Sequence, residues 1–219
     1  MSLTTGLLLL ADGRSPTGAG AHSSGVEEAV RAGVVRDEAS LLELLTIRLH
    51  TSGVVSAGLA AAACRSADEP AQLARLDLEA DARMPSVAAR GASRGQGRGV
   101  LRLARAGWPH PSYAKGGVLG ERPHHALVLG VAVAAADGAP ADAASMAALS
   151  CVTGPASAAL RLLGLDPIAV TAMLARLGGQ VDAVAREALC VHELPAAGHP
   201  LFEVFAEHHA ARDTTLFAS

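Results

Sequence analysis

The stretch DEASLLELLTIRLHTSGVVSAGLAAAAC, residues 37–64, decides the fold class of this chain. Its leucines and valines recur at mixed spacings of three and four residues, which is the period of a helix that buries one face. Gly53 and Gly58 interrupt the pattern, and each indicates either a kink or a close contact with another segment. The stretch therefore predicts one long helix with two special positions.

Outward from this stretch, the same period and the usual helix start and stop signals predict further helices. Ser24 and Glu27 have the spacing of a capping box, and Gly33 offers a stop. Pro70 can open a helix that ends before Pro85. The other predicted helices span residues 86–106, 124–136, 142–164, 167–189 and 202–212. Only residues 34–35 and 128–133 look strand-like, and the second run lies among helix-forming alanines.

These segments predict an all-α protein, a compact single-domain bundle of about eight to ten helices over residues 1–219. A chain of this length is sufficient for one domain with a substantial core. Prolines and glycines concentrate in residues 108–123, which we expect to form a flexible loop. A short C-terminal tail, residues 213–219, follows the last helix.

The composition argues against two classes of partner. The net charge is −3, which gives no overall attraction to nucleic acid or to anionic membranes. The longest apolar run, residues 126–136, is shorter than the roughly 20 residues that cross a bilayer. Cys64, Cys151 and Cys190 are odd in number and form no CxxC pair, so we expect a reducing cytoplasm.

A nucleotide-binding enzyme is the first alternative. The run from Leu7 to Ala11, followed by Gly18 and Gly20, imitates the start of a dinucleotide-binding βαβ unit. However, the third glycine of that motif should fall at position 23, which is Ser23. The motif is therefore incomplete, and the glycine-rich segment 18–25 is kept only as an alternative site for a nucleotide.

No other pattern predicts catalysis or metal binding. The nine histidines include the adjacent pairs 124–125 and 208–209, and neighbours on a helix diverge by roughly 100°, so each pair is poorly placed to hold one ion. Neither HExxH nor a Cys/His cluster occurs, and GxSxG is missing. We expect a protein that is not an enzyme, with no catalytic residue, no metal site and no bound cofactor.

Glycines and arginines share residues 90–105. Arg90, Arg94 and Arg98 lie four residues apart and form one stripe of a helix, with Gly91, Gly95 and Gly99 in an adjacent stripe. An interior glycine costs about 1 kcal/mol relative to alanine, so these glycines need a compensating reason. Close approach of another helix or of a partner supplies one, and the arginines can orient an acidic partner.

The segment SPTGAGAHSSGVE, residues 15–27, resembles the N-terminal signature of the UreF family of urease accessory proteins. Pro16, Gly18, Ser23, Gly25 and Glu27 fall in register with it. Similar family segments follow in order at residues 90–98, 125–130, 157–162 and 216–219, so the resemblance covers the full length. The chain departs from the family pattern at residues 165–167 and in the tail, at Ala210, Thr215 and Ala218.

The resemblance implies an all-α protein that is usually a homodimer. It also implies binding to UreD (also called UreH) and, through that complex, to the GTPase UreG, so that nickel is inserted into the urease apoprotein in a GTP-dependent manner. Nickel and GTP would be handled by those partners. A generic helical interaction module is the remaining alternative. The residues that the resemblance places at partner contacts are Pro16, Gly18, Ser23, Gly25, Glu27, Arg90, Ser93, Gly97, Arg98, Arg161, His209, Leu216 and Phe217.

Overall fold

The computed structural model describes residues 4–17, 19–190 and 193–219. Ten α-helices lie in these ranges: α1 Thr5–Ala11, α2 Val26–Arg31, α3 Glu38–Arg48, α4 Val54–Arg65, α5 Pro70–Ala82, α6 Val87–Gly107, α7 His125–Ala135, α8 Pro140–Leu163, α9 Pro167–Cys190 and α10 Pro200–Ala210. Short 3₁₀ turns occupy Ala19–Ala21 and Pro111–Tyr113. No described residue is in a strand, so the prediction of an all-α fold is confirmed.

The stretch that decided the fold class forms α3 and α4, joined by a π-helical turn at Leu49–Gly53. Asp37 caps α3 in a capping box with Ser40. Gly53 closes the π turn, a common cause of kinks in helices. A Cβ added at Gly58 would lie 2.6 Å from Cδ of Pro195, so this glycine permits a close contact. Both special positions are confirmed.

The core lies where α4 crosses α7 and α8, with α9 packed against α8 and α6 against α7. Small residues set these crossings: a Cβ on Gly130 of α7 would lie 2.2 Å from the carbonyl oxygen of Ala60 in α4. Because the backbones approach so closely, alanine is sufficient to fill the interior at native density. The strand-like valines at residues 128–133 are buried in α7, where burial overrides their β-propensity.

The start of α2 differs from the prediction. Ser24 does not cap the helix; the N-cap is Gly25 with φ +89°, and Ser24 itself has φ +54°. The Ser24 N–H donates instead to the carbonyl oxygen of Ser219 at 3.1 Å, so a contact with the C-terminal tail determines this turn. Gly33, with φ +70°, follows the end of α2 and confirms the predicted stop.

Leu7 to Ala11, the candidate first strand of a βαβ unit, is helix α1. The dinucleotide-binding interpretation is therefore wrong for the described residues, which contain no parallel strands to build on.

The loop at residues 108–123 is anchored at several points. Tyr113 is fully buried, and both guanidinium nitrogens Nη1 and Nη2 of Arg105 donate to the Glu121 carboxylate at 2.9 Å. The Arg105 Nε also donates to the carbonyl oxygen of Tyr113. The flexibility of this loop stays a prediction.

Three helical stretches, Glu38–Arg65, Pro140–Leu163 and Pro167–Cys190, are long and apolar enough to cross a membrane by length and composition. Their apolar stretches are interrupted by polar and charged residues, such as Arg48 in the first and Arg176 in the third, so none of them contains a long uninterrupted apolar run. In the fold, each of them packs against the other two.

Candidate functional site

Three segments that are distant in sequence meet at one edge of the bundle. They are residues 15–27, which we call the signature segment, the middle of α6, and the C-terminal tail. The signature segment lies between the other two: a Cβ added at Gly99 of α6 would lie 1.6 Å from the carbonyl oxygen of Thr17, and one at Gly95 would lie 3.7 Å from Cε1 of His22. His22 in turn contacts the tail, with its Nδ1 2.6 Å from Oγ of Ser219.

Backbone hydrogen bonds hold the tail on the signature segment. The N–H of Ser23 donates to the carbonyl oxygen of Ser219 at 2.5 Å, and the Ser23 hydroxyl donates to the same oxygen at 2.8 Å. The N–H of Ala218 donates to the carbonyl oxygen of Ala21 at 2.7 Å. Ser23 is fully buried, so this predicted site residue acts inside the chain, as an anchor for the tail.

Glu27 is the charged centre of this junction. Its carboxylate is 1% exposed and accepts from Nη2 of Arg31 at 2.8 Å, from the N–H groups of Leu216 and Phe217 at 3.0 and 3.1 Å, and from Nε2 of His209 at 3.2 Å. Burial would raise the pKa of Glu27, but these donors outweigh it and hold the pKa at about 2. The buried carboxylate is therefore ionised at neutral pH and fixes the tail.

A second ion pair strengthens the junction. Arg212 donates Nε and Nη2 to the two carboxylate oxygens of buried Glu28 at 2.5 and 2.6 Å, and this hydrogen bonding lowers the pKa of Glu28. The sequence analysis did not identify either residue. In the sequence, this ion pair is indicated only by two adjacent glutamates in α2 and by an arginine just before the tail.

Phe217 of the tail is buried, whereas the preceding residue, Leu216, is exposed. Phe217 is 5% exposed, and the guanidinium of Arg161 lies 5.0 Å from its ring centroid while donating to the carbonyl oxygen of Gly20 at 3.0 Å. Leu216 is 75% exposed, although its backbone N–H is held by Glu27. Pro16 is also exposed, and Gly18 lies outside the described residues.

The positions at which the chain departs from the family pattern have local explanations. Arg212 pairs with Glu28, so the tail is held without an arginine at position 215 or 218. Thr215 donates its hydroxyl to the carbonyl oxygen of Phe217 at 2.8 Å. Residues 165–167 form the turn into α9, where a carboxylate oxygen of Asp166 accepts from the N–H of Ile168 at 2.9 Å.

The predicted arginine stripe of α6 is mostly internal. Arg90 donates to the carbonyl oxygens of Met84 and Pro85, and Arg94 pairs with the carboxylates of Asp77 and Asp81 at 2.8 and 2.9 Å. Arg98, by contrast, is exposed and makes no salt bridge with a described residue. Of the three stripe arginines, Arg98 is the one that is available for a partner.

The glycines of α6 act as predicted at two positions. A Cβ at Gly97 would lie 2.0 Å from the carbonyl oxygen of Pro123, so both Gly97 and Gly99 allow close approach of another backbone. Gly95 and Gly99, which belong to the predicted stripe, both face the signature segment. Gly91 has no atom within 4 Å of such a Cβ, so no described segment accounts for this glycine.

Ser93, His124 and Asp81 form a hydrogen-bonded row that sequence analysis missed. The Ser93 hydroxyl lies 2.9 Å from Nδ1 of His124, and Nε2 of His124 lies 2.9 Å from the Asp81 carboxylate. The order is that of a hydrolase triad, but Ser93 lies inside α6, where the nearby backbone N–H groups are committed to the helix and cannot stabilise an oxyanion. The Ser93 oxygen also accepts from the N–H of His125, so the row positions the start of α7.

Metal-binding geometry is not apparent at this junction. Residues 4–17, 19–190 and 193–219 contain no group of three or more His, Cys, Asp or Glu side chains placed to hold an ion. Burial raises the pKa of the Cys64 thiol to about 11, which disfavours the thiolate that a metal would need.

Comparison with known proteins agrees with this architecture. A family model described as UreF matches residues 35–178. Proteins named urease accessory protein UreF are similar over nearly the whole chain: one from Mycolicibacterium vanbaalenii is 46% identical over 219 residues, covering 100% of both chains. Relatives from Mycobacterium marinum and Mycobacterium tuberculosis are 44% and 43% identical, and each alignment covers 97% of both chains. The chain therefore belongs to the UreF family of urease accessory proteins.

Proposed function

We propose that this protein is a docking factor for urease assembly, which binds UreD (UreH) and, through that complex, the GTPase UreG during GTP-dependent nickel insertion into the urease apoprotein. It would contribute no catalytic group and no resident cofactor. The observation that carries the proposal is the convergence of the signature segment, α6 and the tail at one edge of the bundle. The names of the relatives support the role in urease assembly.

The residues of this edge divide into an inner and an outer set. The inner set is buried. Ser23, Gly25, Glu27, His209 and Phe217 lie where the tail meets the start of α2, and Gly97 lets α6 approach the start of α7. The outer set is exposed and would touch the partner: Pro16, Arg98, Arg161 and Leu216. Leu216 is the expected anchor, because its side chain is apolar and exposed while its backbone N–H is fixed by Glu27.

Charge supports the choice of an acidic partner surface. Arg98 is exposed and makes no salt bridge with a described residue, although it attracts the Glu121 carboxylate at longer range, so an acidic group of the partner can pair with it directly. A pair at the rim of an interface changes the association rate more than the affinity. We therefore propose that Arg98 mainly increases the rate of association with the partner and that Leu216 mainly contributes to the affinity.

We propose further that the protein works in the cytoplasm as a homodimer. Ile168 is 79% exposed at the start of α9, and Leu149 of α8 is 42% exposed, so these two helices offer apolar surface to a second copy. The three cysteines are free, as is usual in a reducing compartment.

Co-purification with UreD tests the docking proposal. The unmodified chain, co-expressed with UreD, is expected to retain it on an affinity column. Leu216→Asp is expected to reduce the retained UreD about tenfold, because it places a charge where an apolar contact is buried. Leu78→Asp is the matched control, since Leu78 is 70% exposed on α5 and outside the proposed surface. Equal retention by the two variants would contradict the assignment of Leu216.

Deletion of the gene in its host tests the role in nickel insertion. We expect urease activity to be lost while the amount of urease polypeptide is unchanged, because the enzyme would be made without its metal. Growth in excess nickel is expected to restore part of the activity, since uncatalysed loading then becomes faster. Normal urease activity in the deletion strain would contradict the proposal.

A further inference from the structure

A cavity of about 530 Å³ opens at the docking edge, where α6, α8, α10 and the turn between α3 and α4 line it together with residues of the signature segment and of the tail. Its polar wall includes Arg48, Ser52, Ser56, His125 and Ser150, and Met84 and Phe202 are among its apolar residues. The size and the mixture of apolar wall and few polar groups are those of a small-molecule site. The docking proposal gives roles to some residues of the wall, but none to the cavity itself.

Arg48 is the only basic side chain of the wall that is charged at all pH values. It ends α3, and its Nη1 donates to the carbonyl oxygen of Ser24 at 2.9 Å while the guanidinium carbon lies 5.2 Å from the Phe202 ring centroid. Its Nε is buried without a hydrogen-bond partner among the described residues. Burial lowers the pKa of this guanidinium, and the Coulombic attraction of Glu203 opposes that shift without cancelling it.

No carboxylate side chain in the described part of the chain lies within salt-bridge distance of Arg48, although Glu203 of the wall acts on its guanidinium through a longer-range Coulombic attraction. The Glu203 carboxylate itself accepts from the backbone N–H of Ser86 at 2.8 Å. Arg48 is half-buried, and a guanidinium held partly out of water gains from an anion in direct contact, which the wall itself does not provide.

Serine hydroxyls and a histidine ring supply further hydrogen-bond donors near Arg48. Ser52 and Ser56 lie one helical turn apart, and neither hydroxyl is hydrogen-bonded to a described residue. Burial lowers the pKa of His125 to about 4, so its ring is neutral at pH 7 and carries one N–H. One permanent cation with several neutral donors matches a ligand that carries negative charge on several oxygens.

We propose that this cavity is a binding site for a small oxyanion, either a carboxylate or an inorganic phosphate, held by Arg48 with help from Ser52 and Ser56. The planar guanidinium offers a fork that suits two oxygens of one group. The proposal goes beyond the docking role and does not depend on it, because every wall residue belongs to this chain and the site can be tested without any partner.

Isothermal titration of the full chain with sodium phosphate and, separately, with sodium acetate tests the proposal, at an ionic strength held constant with chloride. We expect saturable one-site binding of at least one of the two anions, and the stronger of them identifies the class of ligand. Arg48→Gln is expected to weaken this binding at least about tenfold, since it removes the charged fork. Arg102→Gln removes the same charge from an exposed position of α6 and should leave the affinity unchanged.

A second variant keeps the test decisive if Arg48→Gln unfolds, as circular dichroism would report. Ser56→Leu leaves Arg48 in place and fills part of the cavity, so we expect it to weaken binding at least about tenfold in a folded chain. The proposal is overturned if neither anion binds saturably, if Arg102→Gln weakens binding as much as Arg48→Gln, or if Ser56→Leu binds as tightly as the unmodified chain.

Discussion

Gly97→Ala is expected to lower the free energy of unfolding by about 3 kcal/mol or more. The added Cβ would lie 2.0 Å from the carbonyl oxygen of Pro123 and 3.0 Å from the backbone nitrogen of His125. All of these neighbours are backbone atoms at the start of α7, so no side chain can rotate away and the two helices must separate. Urea unfolding followed by circular dichroism measures the loss.

Gly91→Ala is the matched control for this prediction. It is the same substitution in the same helix, but nothing lies within 4 Å of the new Cβ. Helix propensity should then dominate and stabilise the protein by up to about 1 kcal/mol. Similar effects of the two substitutions would show that the α6–α7 contact is not as close as the structure has it.

Glu27→Gln is expected to cost about 3 kcal/mol of folding free energy at pH 7. The amide cannot accept from all of the donors that now surround the carboxylate, and the Arg31 guanidinium loses its buried counter-charge. The tail should therefore detach and become sensitive to protease. Glu43→Gln removes the same charge from an exposed position of α3 and should leave stability and protease resistance almost unchanged.

The loss of folding free energy caused by Glu27→Gln should become smaller as the pH falls. The pKa of Glu27 is lowered in the folded state, from 4.5 to about 2, so its contribution is complete above pH 4.5 and declines as the pH falls towards 2. The stability difference between Glu27→Gln and the unmodified chain should consequently shrink between pH 5 and pH 3. A difference that stays constant over this range would show that the loss at pH 7 comes from altered packing and not from the charge.

The helices were predictable because their signals are local. The three- and four-residue periods, the prolines that open α5 and α9, and the glycine after α2 act within a few residues of their own position. Family motifs likewise identified most residues of the junction. Those signals do not depend on what packs against the segment.

Apart from the strand interpretation of residues 7–11, the errors involve partners that are distant in sequence. Ser24 has the spacing of a cap but donates to Ser219, and the arginines of α6 look like a solvated stripe until α5 supplies Asp77 and Asp81. The hydrogen-bonded row through His124 joins three different helices or their ends. Such contacts follow from the arrangement of the helices, which local periodicity does not specify.

The junction around Glu27 has a consequence for how the protein is made. His209 and Ser219 reach their partners across 182 and 197 residues of chain, so these contacts carry a large loop-closure entropy and should form late in folding. A nascent or truncated polypeptide would already contain its central helices while lacking a finished edge. Under the docking proposal, UreD would therefore bind only molecules whose tail is in place, because incomplete molecules lack the docking surface.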